Sequence, residues 1–138
     1  MHISYVALAI ATVLQFIFGA IWYTPLFGKV WGRIHGFDLL SPDVQKEMQK
    51  GMAPLLMVQF VLTIVTTVIF ALFVAGLPRD WNIYGIAVFI WLGFVLPTQM
   101  SAVIFGGTAP QWIVKKIAIA GGAALGCLLI AAAVLAHF

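Results

Sequence analysis

The sequence predicts an all-α integral membrane protein, a bundle of four transmembrane helices with a short interfacial helix between the first and the second. Composition is the first reason. Of 138 residues, 64% are hydrophobic and 8% are charged, against about 45–50% and about 25% in soluble domains. Seven basic and four acidic residues cannot cover a soluble domain of this size, so lipid must cover it. Segmentation is the second. Charges and turn residues divide the chain into four apolar runs, at residues 3–23, 52–76, 83–105 and 113–136. Each supplies the roughly 20 residues that cross a hydrocarbon core of about 30 Å. The runs are continuously apolar, whereas barrel strands alternate in pieces of about 10 residues. Residues 1–138 therefore read as one membrane domain.

The elements follow in order. The first run has no Lys or Arg before Lys29 and is too long for the core of a cleaved signal peptide, so a retained helix is expected. Pro25 should end it, because a proline pushes the preceding residue out of the α region. Residues 24–51 hold most of the polar residues. Within them Ser41-Pro42-Asp43 is a strong helix start: a hydroxyl cap, a proline at the first position and an acid facing the dipole. Gly51 supplies a stop. A helix over 42–50 is expected, lying on the membrane surface with Val44 and Met48 on one face. The second run leads to a short turn at 77–82. In the third, Pro97 cannot donate to the Gly93 carbonyl, so a kink is expected. Two glycines and a proline within 106–111 are turn chemistry. In the fourth run the only charges are Lys115 and Lys116.

Topology follows from the charges. Four crossings put Lys29, Arg33, Lys46, Lys50, Lys115 and Lys116 on one side and Arg79 on the other. The positive-inside rule then places the chain in the cell (inner) membrane with both termini outside the cytoplasm. Trp22, Tyr23, Trp31 and Trp112 fall at the inner interface as anchors, and Tyr5, Trp81 and Tyr84 at the outer one; such rings favour headgroup depth. Membrane lipids are the expected partners. The positive balance does not point to nucleic acid, since the basic residues sit in short loops beside apolar segments. The one cysteine, Cys127, excludes an intrachain disulfide.

Trp22-Tyr23-Thr24-Pro25-Leu26-Phe27-Gly28-Lys29-Val30-Trp31 resembles the signature of an uncharacterised, mainly bacterial family of four-helix membrane proteins. In that family a Trp-Tyr-Ser/Thr-Pro segment, then Phe-Gly-Lys and a Trp, follow the first helix. Trp91-Leu92-Gly93-Phe94 and Trp112 are similar to further parts of its pattern, while Gly106-Gly107-Thr108 stands where a more polar stretch is expected. The family is a domain of unknown function. The resemblance implies fold and length and supplies no catalytic residue. Physically, the signature reads as a helix exit anchored at headgroup depth.

Polar residues inside the runs are the candidate site. No Asp, Glu, His, Lys or Arg lies deep in a run, which argues against a proton-driven pump. What remains is amide and hydroxyl chemistry: Gln15, Gln59 and Gln99, with Thr98, Ser101 and further threonines. Counted from the inner helix ends at 1.5 Å per residue, all three glutamines should lie about 10–12 Å deep. One shared polar layer is expected, serving as interhelical glue or as a solute site. The indole of Trp91 is too deep for either interface and needs an acceptor. In the fourth run Ala118, Gly122 and Gly126 are spaced by four, a small-residue face that lets another backbone approach closely.

No catalytic, metal or cofactor site is expected. His35 lies in the inner loop, His2 and His137 at the outer surface, and His35 with Asp38 falls short of the three protein ligands typical of catalytic zinc. Two functional readings remain. One is an interaction or scaffold protein, not an enzyme, that forms a homo-oligomer through the fourth helix. The other is a small channel or carrier for a neutral or weakly polar solute that uses the glutamine layer.

Overall fold

The computed structural model describes residues 3–138. Among them four helical stretches are long and apolar enough to cross a membrane. The first begins as α1 (Tyr5–Ile21), where the Ser4 hydroxyl accepts from the Ala7 N–H at 3.2 Å. It does not end before Pro25. It widens into a π-turn over Trp22–Leu26, closed by the Phe27 N–H on the Trp22 carbonyl at 3.0 Å. The wider turn gives the proline ring room beside the preceding carbonyls, so the chain passes Pro25 without breaking.

A short helix, α2 (Gly28–Ile34), follows at once. Two glycines in so short a segment weaken a helix. Stacking holds it: Tyr23 meets Trp31 edge-on at 4.9 Å, and Trp31 meets His35 at 4.7 Å. Gly36, at φ 71°, then reverses the chain into a 3₁₀ turn, Phe37–Leu39. The expected helix appears as α3 (Pro42–Lys50), with the Ser41 hydroxyl accepting from the Val44 N–H at 3.5 Å. The Gln45 amide donates to the carbonyls of Phe37 and Leu40 at 2.9 and 3.2 Å and pins the turn to α3. Gly51 keeps right-handed torsions, φ −72° and ψ −9°, and α4 (Met52–Ala75) starts at the next residue. The join is therefore a bend rather than a left-handed stop.

Asn82 caps α5 (Ile83–Ile90), its side-chain oxygen accepting from the Tyr84 and Gly85 N–H groups at 2.9 and 3.1 Å. The kink expected near Pro97 takes the form of a second π-turn, Trp91–Val95, before α6 (Leu96–Phe105). A 3₁₀ turn, Pro110–Trp112, leads into α7 (Ile113–His137).

α7 lies between α1 on one side and α5 with α6 on the other, and α4 packs on α1. Small side chains bring the backbones close: Ala11, Ala87 and Ala132 are each 0% exposed. The main core joins Phe70 of α4, Ile86 and Ala87 of α5, and Leu128, Ala131 and Ala132 of α7. It sits near the end that carries the 77–82 turn. At the other end, which carries six of the seven basic residues, α4 and α6 share no extended contact. α4 is thus held mainly by α1, with the Phe70 side chain reaching α5 and α7 near the 77–82 turn.

Candidate functional site

Gln15 is the most completely buried of the three glutamines, at 4% exposed. Its amide donates to the Thr67 hydroxyl at 2.8 Å and to the Ala11 carbonyl at 3.1 Å. Thr67 in turn donates to the Thr63 carbonyl at 2.7 Å. Helix α1 is thereby tied to α4 through a hydroxyl that acts as both acceptor and donor. On its other side the Gln15 backbone carbonyl lies 3.9 Å from the Cys127 sulfur of α7.

The structure does not bring the three glutamines into one layer. Gln15 meets Thr67, eight residues beyond Gln59, a step of about 12 Å along α4. Gln59 itself is exposed. The Gln99 side-chain oxygen lies beside Gly121, 3.9 Å from where its β-carbon would stand, whereas Gln15 lies beside Cys127. Six residues of α7 separate those two points, about 9 Å. The equal-depth expectation fails because the helix ends it counts from, near Tyr23, Met52 and Gly106, are staggered along the bundle. Thr98 and Ser101 are exposed on α6, and the Thr98 hydroxyl donates to the Phe94 carbonyl at 2.7 Å.

The small face of α7 is occupied from within the chain. A β-carbon on Gly122 would stand 2.9 Å from Cζ2 of Trp22, and one on Gly126 would collide with the Phe18 ring. Assembly of copies through Gly122 and Gly126 is therefore not what this face serves, and Ala118, the third residue of that spacing, is exposed. Gly121 faces the opposite way, with Leu96 at 3.0 Å and Trp91 at 3.8 Å from its β-position. Two indoles hold the same stretch of α7. Trp22 Nε1 donates to the Ile119 carbonyl at 2.9 Å, and Trp91 Nε1 donates to the Gly121 carbonyl at 2.8 Å. Each tryptophan opens a π-turn. The acceptor that the deep Trp91 indole needs is thus a backbone carbonyl exposed by a glycine pair.

The remaining anchors form one cluster at the basic end. Trp22 lies between Phe18 at 5.4 Å and Phe27 at 4.7 Å. The Lys116 ammonium lies 5.9 Å from the Trp31 ring centre, and that of Lys115 lies 5.2 Å from Trp112. Gly28 allows the chain to close here, because its β-position is 3.0 Å from the Tyr23 carbonyl. His35 belongs to this cluster and His137 ends α7 at the far end; His2 lies outside the described residues. Two contributors, Phe18 and Thr67, carry no local sequence signal of their roles. A phenylalanine in an apolar run resembles its neighbours, and Thr67 is one hydroxyl among several.

The aromatic and glycine positions of the signature segment thus serve the fold, as donor to α7, as stacking partners or as a point of close backbone approach. No curated protein and no solved structure matches the chain. The family described as "Protein of unknown function (DUF1761)" matches over residues 6–136, and the chain belongs to it.

Proposed function

We propose that this multi-pass membrane protein is an interaction protein without chemistry of its own, which self-associates through one flank of α4. The observation that carries the reading is an exposed polar stripe in an apolar helix. Gln59, Thr63, Thr66 and Phe70 follow one another at the i, i+4, i+7, i+11 spacing of a single helix face. Phe70 is buried against α5 and α7, while Gln59 and Thr66 are exposed. Thr66 adjoins Thr67 in sequence, so the stripe reaches the depth of the Gln15 bond. The Thr63 and Thr66 hydroxyls donate to their own helix, at 2.8 and 2.9 Å. The Gln59 amide is left to find a partner where unpaired polar groups are costly. An amide both donates and accepts, so two copies related by a twofold axis along the membrane normal satisfy each other at this position. With α7 engaged inside the chain, α4 replaces it as the assembling helix. The same proposal sets the basic end in the cytoplasm, by the positive-inside rule.

The test is energy transfer between labelled copies in liposomes. Gln59→Leu should weaken association, an interhelical hydrogen bond being worth about 0.6–2 kcal/mol. A wild-type chain that stays monomeric in lipid, or an association indifferent to Gln59→Leu, overturns the reading.

One observation favours a carrier of a neutral or weakly polar solute instead. The Gln99 side-chain oxygen is buried without a hydrogen-bond partner, on a helix that shares no extended contact with α4. Solute flux in liposomes that is abolished by Gln99→Leu, with α4 association unchanged, would select that second reading.

A further inference from the structure

We infer that the corner between α2 and α7 is a binding site for the phosphate of an anionic phospholipid headgroup. Four cations lie on these two packed segments: Lys29 and Arg33, one turn apart on α2, and Lys115 and Lys116 in the opening turn of α7. α2 packs on α7, and the contact is direct, with the Lys116 ammonium 5.9 Å from the Trp31 ring centre. The chain's four acids are Asp38, Asp43, Glu47 and Asp80, and none of them lies on α2 or α7.

The comparison within the molecule is α3. It carries two cations, Lys46 and Lys50, but Asp43 stands three residues before the first and Glu47 three before the second, so its charges offset one another. The α2–α7 corner has no such compensation. Nor do its lysines serve their own helix, since cations in a first turn oppose the helix dipole. Tryptophan faces fix where the charges sit: Trp31 beside Lys116, and Trp112 beside Lys115 at 5.2 Å. Indoles favour headgroup depth, and basic pockets between membrane helices take anionic headgroups. A phosphodiester at that level supplies the missing negative charge. A zwitterionic lipid of the same chain length brings its own ammonium and gains less.

The experiment is native mass spectrometry of the delipidated full chain, titrated with dioleoyl phosphatidylglycerol or dioleoyl phosphatidylcholine. The wild type should retain phosphatidylglycerol preferentially. A basic residue near an anionic surface contributes about a fivefold preference, so Lys115→Gln with Lys116→Gln should remove most of it, as should Lys29→Gln with Arg33→Gln. Lys46→Gln with Lys50→Gln should leave it standing. A charge-neutral relocation, Lys116→Gln with Gln49→Lys, separates a built corner from bulk attraction: the corner predicts about a fivefold fall in preference at unchanged net charge. Equal retention of both lipids by the wild type overturns the proposal. So does a preference left unchanged by the relocation, or one that α3 substitutions reduce as much as corner substitutions. Displacement of the lipid by an equal concentration of inorganic phosphate would also overturn it, because the site would then be read by free anion alone.

Discussion

The indole of Trp22 occupies the space a side chain on Gly122 would need. A β-carbon there would stand 2.9 Å from Cζ2, while the indole N–H reaches the Ile119 carbonyl at 2.9 Å, one turn earlier on α7. One side chain therefore both fills the gap left by a glycine and bonds the helix that the glycine belongs to. Small residues in membrane helices are often contact points between separate chains. Here they are where the first span of the chain docks on its last.

Gly122→Leu should destabilise the monomer rather than dissociate copies. Overpacking costs about 1–3 kcal/mol and at times more, and neither the ring nor the α7 backbone can retreat without losing the Ile119 bond. Gly126→Ala should behave alike, through Phe18. Ala118→Leu, on an exposed position of the same spacing, should stay within about 0.5 kcal/mol of wild type. Unfolding in detergent at concentrations too low for association distinguishes these outcomes.

Gln15 and Thr67 should be energetically coupled. A double-mutant cycle of Gln15→Leu and Thr67→Val is expected to give about 0.6–2 kcal/mol, because the 2.8 Å bond between them ties α1 to α4. Gln59→Leu should leave monomer stability within about 0.5 kcal/mol, its side chain being exposed. A coupling near zero in the cycle would mean that the loss of either group is absorbed by its bond within its own helix.

Trp91→Phe should cost about 0.5–1.5 kcal/mol, the net worth of a hydrogen bond, since phenylalanine keeps much of the packing and removes the donor to the Gly121 carbonyl. Trp22→Phe should lose a similar amount through Ile119. Unfolding midpoints of the two variants, compared in one detergent, test whether the indoles act as paired clamps on α7. Variants as stable as wild type would reduce both tryptophans to space-filling.

What is legible in the sequence, and what is not, divides along a physical line. Apolar run length places the four spans, because crossing a bilayer demands a fixed number of residues. Ser41 announces α3 because capping is local chemistry. Pro25 and Pro97 signal a disturbance, but their form depends on what lies beside them: tryptophans reaching α7 make a wound π-turn more favourable than a break. Gln15 reads as a residue in need of a partner, yet Thr67 is fifty-two positions away and no spacing rule reaches it. The shared glutamine depth fails for a related reason. Depth counted along one helix assumes that all helices start at one level, and only tertiary packing sets that. The glycine spacing of α7 is likewise visible, while its partner, Trp22, is an assignment that only the fold makes.

The signature segment allows the sharpest contrast, because two glycines of α2 should respond in opposite senses. A β-carbon on Gly28 would stand 3.0 Å from the Tyr23 carbonyl. That atom is backbone inside the π-turn, so it can yield only by opening the turn. Gly28→Ala should then cost about 1–3 kcal/mol and loosen α2, exposing the Trp31 N–H that now donates to the Phe27 carbonyl at 2.8 Å. Gly32 has its nearest neighbour, the Phe37 β-carbon, at 3.6 Å, an ordinary contact. Gly32→Ala should stabilise α2 by roughly 0.5–1 kcal/mol, the usual gain from replacing glycine within a helix. Hydrogen exchange at the α2 amides, read alongside tryptophan fluorescence, would report both. If the two substitutions shift exchange in the same direction, the close approach at Gly28 is not what the glycine of the signature provides, and the stacking of Tyr23 on Trp31 would have to hold α2 by itself.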